Sequence, residues 1–218
     1  MDAINNLQNL TILRQNITVV YKSLNLQAIN TSKLKGLLKI APTVVDTPEM
    51  IVAIYPIGPL IIQFADNRIR ITLQKEIQDL KNIGSDRGIH LWKLALEVHQ
   101  LVDKPKLSAY GFNYDLGAVV ESNTQTLIKN VFMFSEEKIK SALDTNEISF
   151  LPRVKFKRNE IAYDLILEPL DNQRVVTHLN AHFETNSFPN QKTLKQSFHE
   201  QFNFLINVLS NLFERGNG

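Results

Sequence analysis

The sequence predicts an α+β protein built on a largely antiparallel β-sheet, and three observations carry that prediction. Two groups of segments, 50–74 and 148–184, alternate apolar and polar residues at a period of two and are broken by turn-forming residues, as sheet meanders are. Two others, 88–102 and 192–213, repeat their apolar residues at the helical period and read as long helices packed on that sheet. Strands come in runs and helices follow them, which is the order of α+β rather than of a parallel sheet. At 218 residues the chain fits a single domain, with a possible division into halves 1–104 and 105–218. Each half reads as several strands followed by a helix, without a residue-level repeat.

Asn16–Leu24 alternates imperfectly and reads as the first strand, while Lys33–Ile40 suits either a strand or a short helix. Met50–Tyr55, Leu60–Ala65 and Arg68–Gln74 follow as a meander, with turns at Pro56-Ile57-Gly58-Pro59 and at Asp66-Asn67. In the third of these strands Ile69, Ile71 and Leu73 share one side and Arg68, Arg70, Thr72 and Gln74 the other, the signature of a sheet with one wet face. Leu91, Leu94, Ala95, Val98, Leu101 and Val102 fill a broad sector of the helix over 88–102, which Pro105 ends. Leu107–Leu116 is again a strand, and Asn123–Met133 and Glu136–Leu143 are short helices, the second with Ser135 as its N-cap. Ile148–Lys157, Glu160–Glu168 and Arg174–Glu184 complete the second meander, with turns at Arg158-Asn159 and Leu170–Gln173. In the final helix Phe204 and Val208 widen the apolar stripe to about half the circumference, more than one covered face needs. Both are therefore candidate interface residues.

Composition removes whole classes of function. The chain has no cysteine, so disulfides, thiol nucleophiles and cysteine metal sites are excluded. No apolar run approaches the roughly 20 residues that span a bilayer, and the opening Met1-Asp2-Ala3-Ile4 lacks the basic start of a secretory signal. The expectation is a soluble, cytoplasmic protein. The formal net charge is +2, without the dense basic footprint of a dedicated duplex binder, although Arg14, Lys22, Lys33, Lys35 and Lys39 precede Val45 with no acid among them after Asp2.

Catalytic and phosphate-binding motifs are missing. Gly-x-Gly-x-x-Gly, Gly-Lys-Ser/Thr, Gly-x-Ser-x-Gly and His-Glu-x-x-His are all absent, and nothing in the chain calls for a cofactor or metal. Gly84-Ser85-Asp86-Arg87-Gly88 precedes a helix and reads as a loop in which Ser85 or Asp86 caps it. His178-x-Asn180-x-His182-x-Glu184 is a ladder of ligand types, but on a strand its histidines stand about 13 Å apart, too far for one ion; a wetted sheet face accounts for it better. His99 lies within the apolar sector of its helix and is the candidate around which a dispersed enzyme site would form.

Two stripes point to nucleic acid. Tyr110, Phe112 and Tyr114 alternate along one strand, and Arg153, Lys155 and Lys157 along another; on adjacent strands they would offer bases a stacking surface and phosphates a row of cations. The competing accounts are a core-facing aromatic stripe and a charged edge strand.

The strand Val175-Val176-Thr177-His178-Leu179-Asn180-Ala181-His182-Phe183-Glu184, followed by a long helix with His199 and Phe202, and the mid-chain strand Tyr110-Gly111-Phe112-Asn113-Tyr114 resemble an uncharacterised, sporadically distributed family of bacterial proteins of similar size. The resemblance is one of layout over the last two-thirds of the chain. It implies a bacterial α+β protein and carries over no activity or site residue. The reading of the whole sequence is a non-catalytic binding or assembly protein that self-associates or engages a protein partner through a sheet surface or the final helix. Single-strand nucleic-acid binding and an enzyme site near His99 are the alternatives.

Overall fold

The long strand β1 (Leu7–Tyr21) pairs antiparallel with an equally long β8 (Leu107–Val120), and the rest of a nine-stranded sheet grows outward from this central pair. The computed structural model describes residues 7–56, 58–103, 106–120, 123–132, 135–143 and 149–214. On one side of the pair lie β5 (Arg68–Leu73), β4 (Leu60–Ala65), β3 (Met50–Tyr55) and the edge strand β2 (Thr43–Asp46); on the other lie β11 (Arg174–Glu184), β10 (Ile161–Pro169) and the edge strand β9 (Arg153–Arg158). All pairings are antiparallel. Each half of the chain thus places its first long strand at the centre, its last strand beside that one, and the intervening strands progressively outward.

Turn chemistry explains the tight connections. Asp66 and Asn67 adopt φ of 51° and 57° between β4 and β5, as a two-residue hairpin turn with left-handed central residues requires. Asn159 and Glu160, at 48° and 64°, do the same between β9 and β10, one residue later than the expected Arg158-Asn159. The first half of the segment 33–40 lies in a short helix, α1 (Thr31–Gly36), capped by the Asn30 side chain, and its second half is irregular. Its Leu34 is buried, and its carbonyl accepts the hydroxyl of Tyr55.

The first expected long helix is shorter than its periodicity suggested. Ser85–Asp86 (β6) and Ile89–His90 (β7) form a small hairpin about Arg87-Gly88, at φ 47° and 81°, so α2 begins only at Leu91 and runs to His99. Neither Ser85 nor Asp86 caps it. His90 is the N-cap without a side-chain bond, and Asp86 pairs instead with Lys75 at 2.6 Å. Short helices α3 (Thr124–Phe132) and α4 (Glu136–Leu143) follow β8, and α5 (Gln191–Glu214) ends the described fold. Of the expected features, Ile57, Pro105, Met133 and Ile148 lie outside the described residues.

The core lies between one face of the sheet and the helices. A single row crosses all nine strands, Val44–Ala53–Ile62–Ile71–Ile17–Phe112–Ala181–Tyr163–Phe156, and every member is apolar or aromatic. α2 packs on β1 and β5, and α5 lies across the second half. The Tyr114 hydroxyl donates to the Phe198 carbonyl at 2.6 Å, and the Tyr163 hydroxyl donates to Gln201 Oε1 at 2.7 Å. Both bonds fix α5 over the sheet.

Gly84 sits where these elements meet. At φ +73° a Cβ there would intrude on the Trp92 ring and stand 2.9 Å from Phe198, whereas at Gly88, φ +81°, it would meet nothing within 4 Å. Gly88→Ala should therefore cost only the left-handed backbone, about 1–2 kcal/mol. Gly84→Ala should add overpacking of about 1–3 kcal/mol to that. Urea midpoints of the two variants test this, and equal losses would refute the close packing at Gly84.

Candidate functional site

Strand pleating places alternate residues on opposite faces, so the apolar row has a neighbouring row facing away from the helices. That row is Thr43–Ile54–Ile61–Thr72–Asn16–Asn113–Asn180–Asp164–Lys155, apolar near β2, amide and hydroxyl at the centre, and charged towards β9. Among the described residues no helix or loop covers this face. It is the candidate site.

Its centre is cross-linked by side chains. Asn113 Nδ2 donates to Asn16 Oδ1 at 2.7 Å, Asn180 Nδ2 donates to Asn113 Oδ1 at 2.5 Å, and the Thr18 hydroxyl donates to Asn16 at 3.0 Å. The ladder spans β1, β8 and β11 and still leaves Asn16 Nδ2 and Asn180 Oδ1 without a partner in it. Beside the ladder runs a charged chain. Arg14 Nε stands 2.5 Å from Asp115, His178 Nδ1–H donates to the other Asp115 oxygen at 2.9 Å, and His178 Nε2–H donates to Glu168 at 3.1 Å. A β-bulge between Ile12 and Arg14 turns Arg14 to this face.

The same geometry sets the ionisation of the chain. The hydrogen bond to Asp115 raises the His178 pKa above its ordinary value; burial opposes this, and Glu168 adds to it. Burial pushes Asp115 upward, but the hydrogen bonds and charges of His178 and Arg14 outweigh it and hold the carboxyl below its usual range. Among the described residues no group of ligand-type side chains is arranged to hold a metal ion.

Over the ladder the face hollows into an open trough of about 640 Å³. Arg14, Arg68 and Arg70 line it together with amides, hydroxyls, His182 and the apolar Val20 and Ile61, and no carboxylate is among its described lining residues. Gly111 forms part of the floor, where a Cβ would stand 2.9 Å from the Ala181 carbonyl oxygen. The chemistry on offer is hydrogen-bond donation backed by positive charge.

The structure separates the two sequence-derived stripes: the aromatic one lies under the helices and the cationic one at the far edge of the open face. Tyr110, Phe112 and Tyr114 do share a face, but it is the helix-covered one, where they are 7%, 0% and 0% exposed and pack against Phe183, Phe198 and Phe202. No base can reach them. Arg153, Lys155 and Lys157 lie on the opposite face, at edge strand β9 and two strands beyond β8's neighbour β11. Arg153 pairs with Asp164 and Lys157 with Glu160. The stacking surface and the cationic row therefore never meet.

Phe204 and Val208 are half-buried against the core rather than standing free. Phe204 lies 5.0 Å from Tyr163 and 6.1 Å from Phe156, with the Arg158 guanidinium 4.8 Å above its ring. His99 is held by Tyr21, whose hydroxyl lies 2.7 Å from Nδ1, and its ring lies 4.7 Å from that of Phe188 in a tilted contact; burial lowers the His99 pKa and raises that of Tyr21. Among the described residues no carboxylate or serine is hydrogen-bonded to it. His178, Asn180, His182 and Glu184 share the open face, as their alternation implied. Sequence reading did not single out Arg14, Asn16, Asn113 or Asp115, because what groups them is strand order.

No family model and no curated protein matches this sequence. Among solved structures, Methanococcus jannaschii TBP aligns over 95% of this chain and 99% of its own, with a TM-score of 0.38 and 10% identity. At that level neither family nor function transfers.

The His178 link gives a pH dependence of definite sign. Its folded-state pKa is raised, so its contribution to stability is complete below the unfolded value near 6.5 and is lost as pH rises through the higher folded value. The thermal midpoint of the native protein should fall more between about pH 6 and about pH 8 than that of His178→Gln. Proton NMR should place His178 above the ordinary value and His99 and His199, both lowered by burial, below it. Superimposable pH profiles would dismiss the link.

Proposed function

We propose that this is a non-catalytic binding protein whose working surface is the uncovered face of the sheet. The observation that carries the reading is the contrast between the two rows across the sheet. One is apolar throughout and lies under helices; the other is graded, hydrogen-bonded across strands, and open. A broad, rigid sheet face with pre-ordered polar groups binds at little cost in side-chain entropy. The acids and bases of the Arg14–Asp115–His178–Glu168 chain engage one another, which favours recognition over proton transfer.

Filling the trough tests this. Thr72, half-buried at its floor, tolerates a larger side chain only by obstructing the face. Affinity capture from the native cell, read for protein and nucleic acid together, should lose its specific partner with Thr72→Trp and keep it with Lys93→Trp, on the exposed side of α2. Loss with the second variant alone would put the working surface on the helices.

Self-association is supported by a separate observation. Val45 and Ile54 are 44% and 40% exposed at the β2 end of the same face, beside the unpaired edge of β2. Contiguous exposed apolar side chains mark interaction surfaces. Light scattering should report more than one chain per particle for the native protein and one chain for Val45→Lys/Ile54→Lys. A native particle of one chain across micromolar concentrations removes this second reading.

A further inference from the structure

We infer that the trough holds an extended phosphate-bearing ligand, gripped by Arg68 and Arg70 at one end and by Arg14 at the other. The inference rests on the open face being the working surface and names what that surface takes. Arg68 and Arg70 are two residues apart on β5, so their side chains leave the same face about 7 Å apart. Among the described residues neither Arg68 nor Arg70 has a carboxylate partner, whereas Arg14, Arg153 and Arg174 are each paired with one. The contact made by Arg70 is a long hydrogen bond, 3.4 Å, to Gln63 Oε1.

Edge protection does not account for these cations. β9 is an edge strand and carries Arg153, Lys155 and Lys157, where charge deters unwanted strand pairing. β5 is an interior strand, hydrogen-bonded on one side to β4 and on the other to β1. Two like charges side by side in the middle of a sheet, lining a trough to which the described residues contribute no carboxylate, repel each other, and an anion between them relieves that repulsion. Arg14, four residues before Thr18, which pairs with Arg70, stands about 14 Å further along β1. A single small anion does not bridge that distance, whereas a chain of phosphates does.

The intervening groups suit such a chain. Asn16 Nδ2 and the Thr72 hydroxyl, between the two ends, offer donors for phosphate or sugar oxygens, and the guanidinium fork matches phosphate geometry. Among the described residues no Phe, Tyr or Trp lines the trough, so the ligand is recognised by its backbone charge and not by ring stacking. A free polyphosphate and the backbone of a single nucleic-acid strand share this chemistry.

Two probes separate those sources. Isothermal titration with inorganic tripolyphosphate reads the first, and anisotropy of a labelled oligothymidylate at about 50 mM salt reads the second. At least one should bind. Arg68→Gln/Arg70→Gln should weaken it by about tenfold or more, while Arg174→Gln, whose guanidinium pairs with Asp171 away from the trough, should leave it unchanged. For the oligonucleotide, three phosphate contacts give a log–log salt slope of about −2, and the double variant should reduce its magnitude by about 1.4. Tripolyphosphate binding without oligonucleotide binding identifies a free polyphosphate; the converse identifies a strand. No binding of either probe, or binding that the double variant leaves intact, overturns the inference. If in that event Thr72→Trp still abolishes capture, the open face survives as the working surface and only the ligand class is wrong.

Discussion

β1 and β8 run antiparallel from Leu7 opposite Val120 to Tyr21 opposite Leu107, and this pairing fixes which way every other side chain in the sheet points. Because the side-chain period along a strand is two, a slip of one residue between these strands would exchange the faces of a whole half. Ile17 opposite Phe112 and Asn16 opposite Asn113 settle the choice together, one pair demanding burial and the other tolerating water. The β5–β4–β3–β2 side inherits its orientation from β1, and the β11–β10–β9 side from β8. The two halves thereby present one continuous apolar face to the helices, although each would expose a flank of it alone.

The open face follows from the same parity. The Asn16–Asn113–Asn180 ladder exists because three residues far apart in sequence occupy one row, and the Arg14–Asp115–His178–Glu168 chain because a bulge in β1 lets Arg14 reach the acid on β8. Partly buried charges of this kind are stable only in mutual contact. The chain therefore stiffens the centre of the face while leaving Arg68 and Arg70, one strand to its side, without an acid.

How much of this was legible in the sequence depended on whether the deciding force was local. The first meander, the Asp66-Asn67 turn, the last strand and α5 were readable because period, turn residues and helix length all act over a few residues. The first half of β1 was not: positive φ at Asn9 and bulges near Gln8 and Ile12 break its alternation. Gly84–Gly88 suits a capping loop or a tight hairpin equally, since two glycines before a helix serve either, and tertiary contact with Trp92 decides. Tyr110, Phe112 and Tyr114 show the limit most clearly. Alternation places three rings on one side, but whether that side meets α5 or water depends on strands more than sixty residues away.

The breadth of the sheet also explains the stripe on α5. Judged against a simple surface helix, an apolar arc of half the circumference, widened by Phe204 and Val208, is excessive. A 24-residue helix is about 36 Å long, and nine strands at about 4.8 Å spacing extend about 38 Å from edge to edge, so one helix can cover several strands. α5 does this, from Tyr114 on the central β8, met by Phe198 and Phe202, to Phe156 on the edge strand β9, met by Phe204. A twisted sheet turns beneath the helix along that path, so residues at different angles around α5 face it at different strands. The arc is wide because the surface beneath it rotates. The exposed apolar side chains Val45 and Ile54 have no such account, and they stand on the other face.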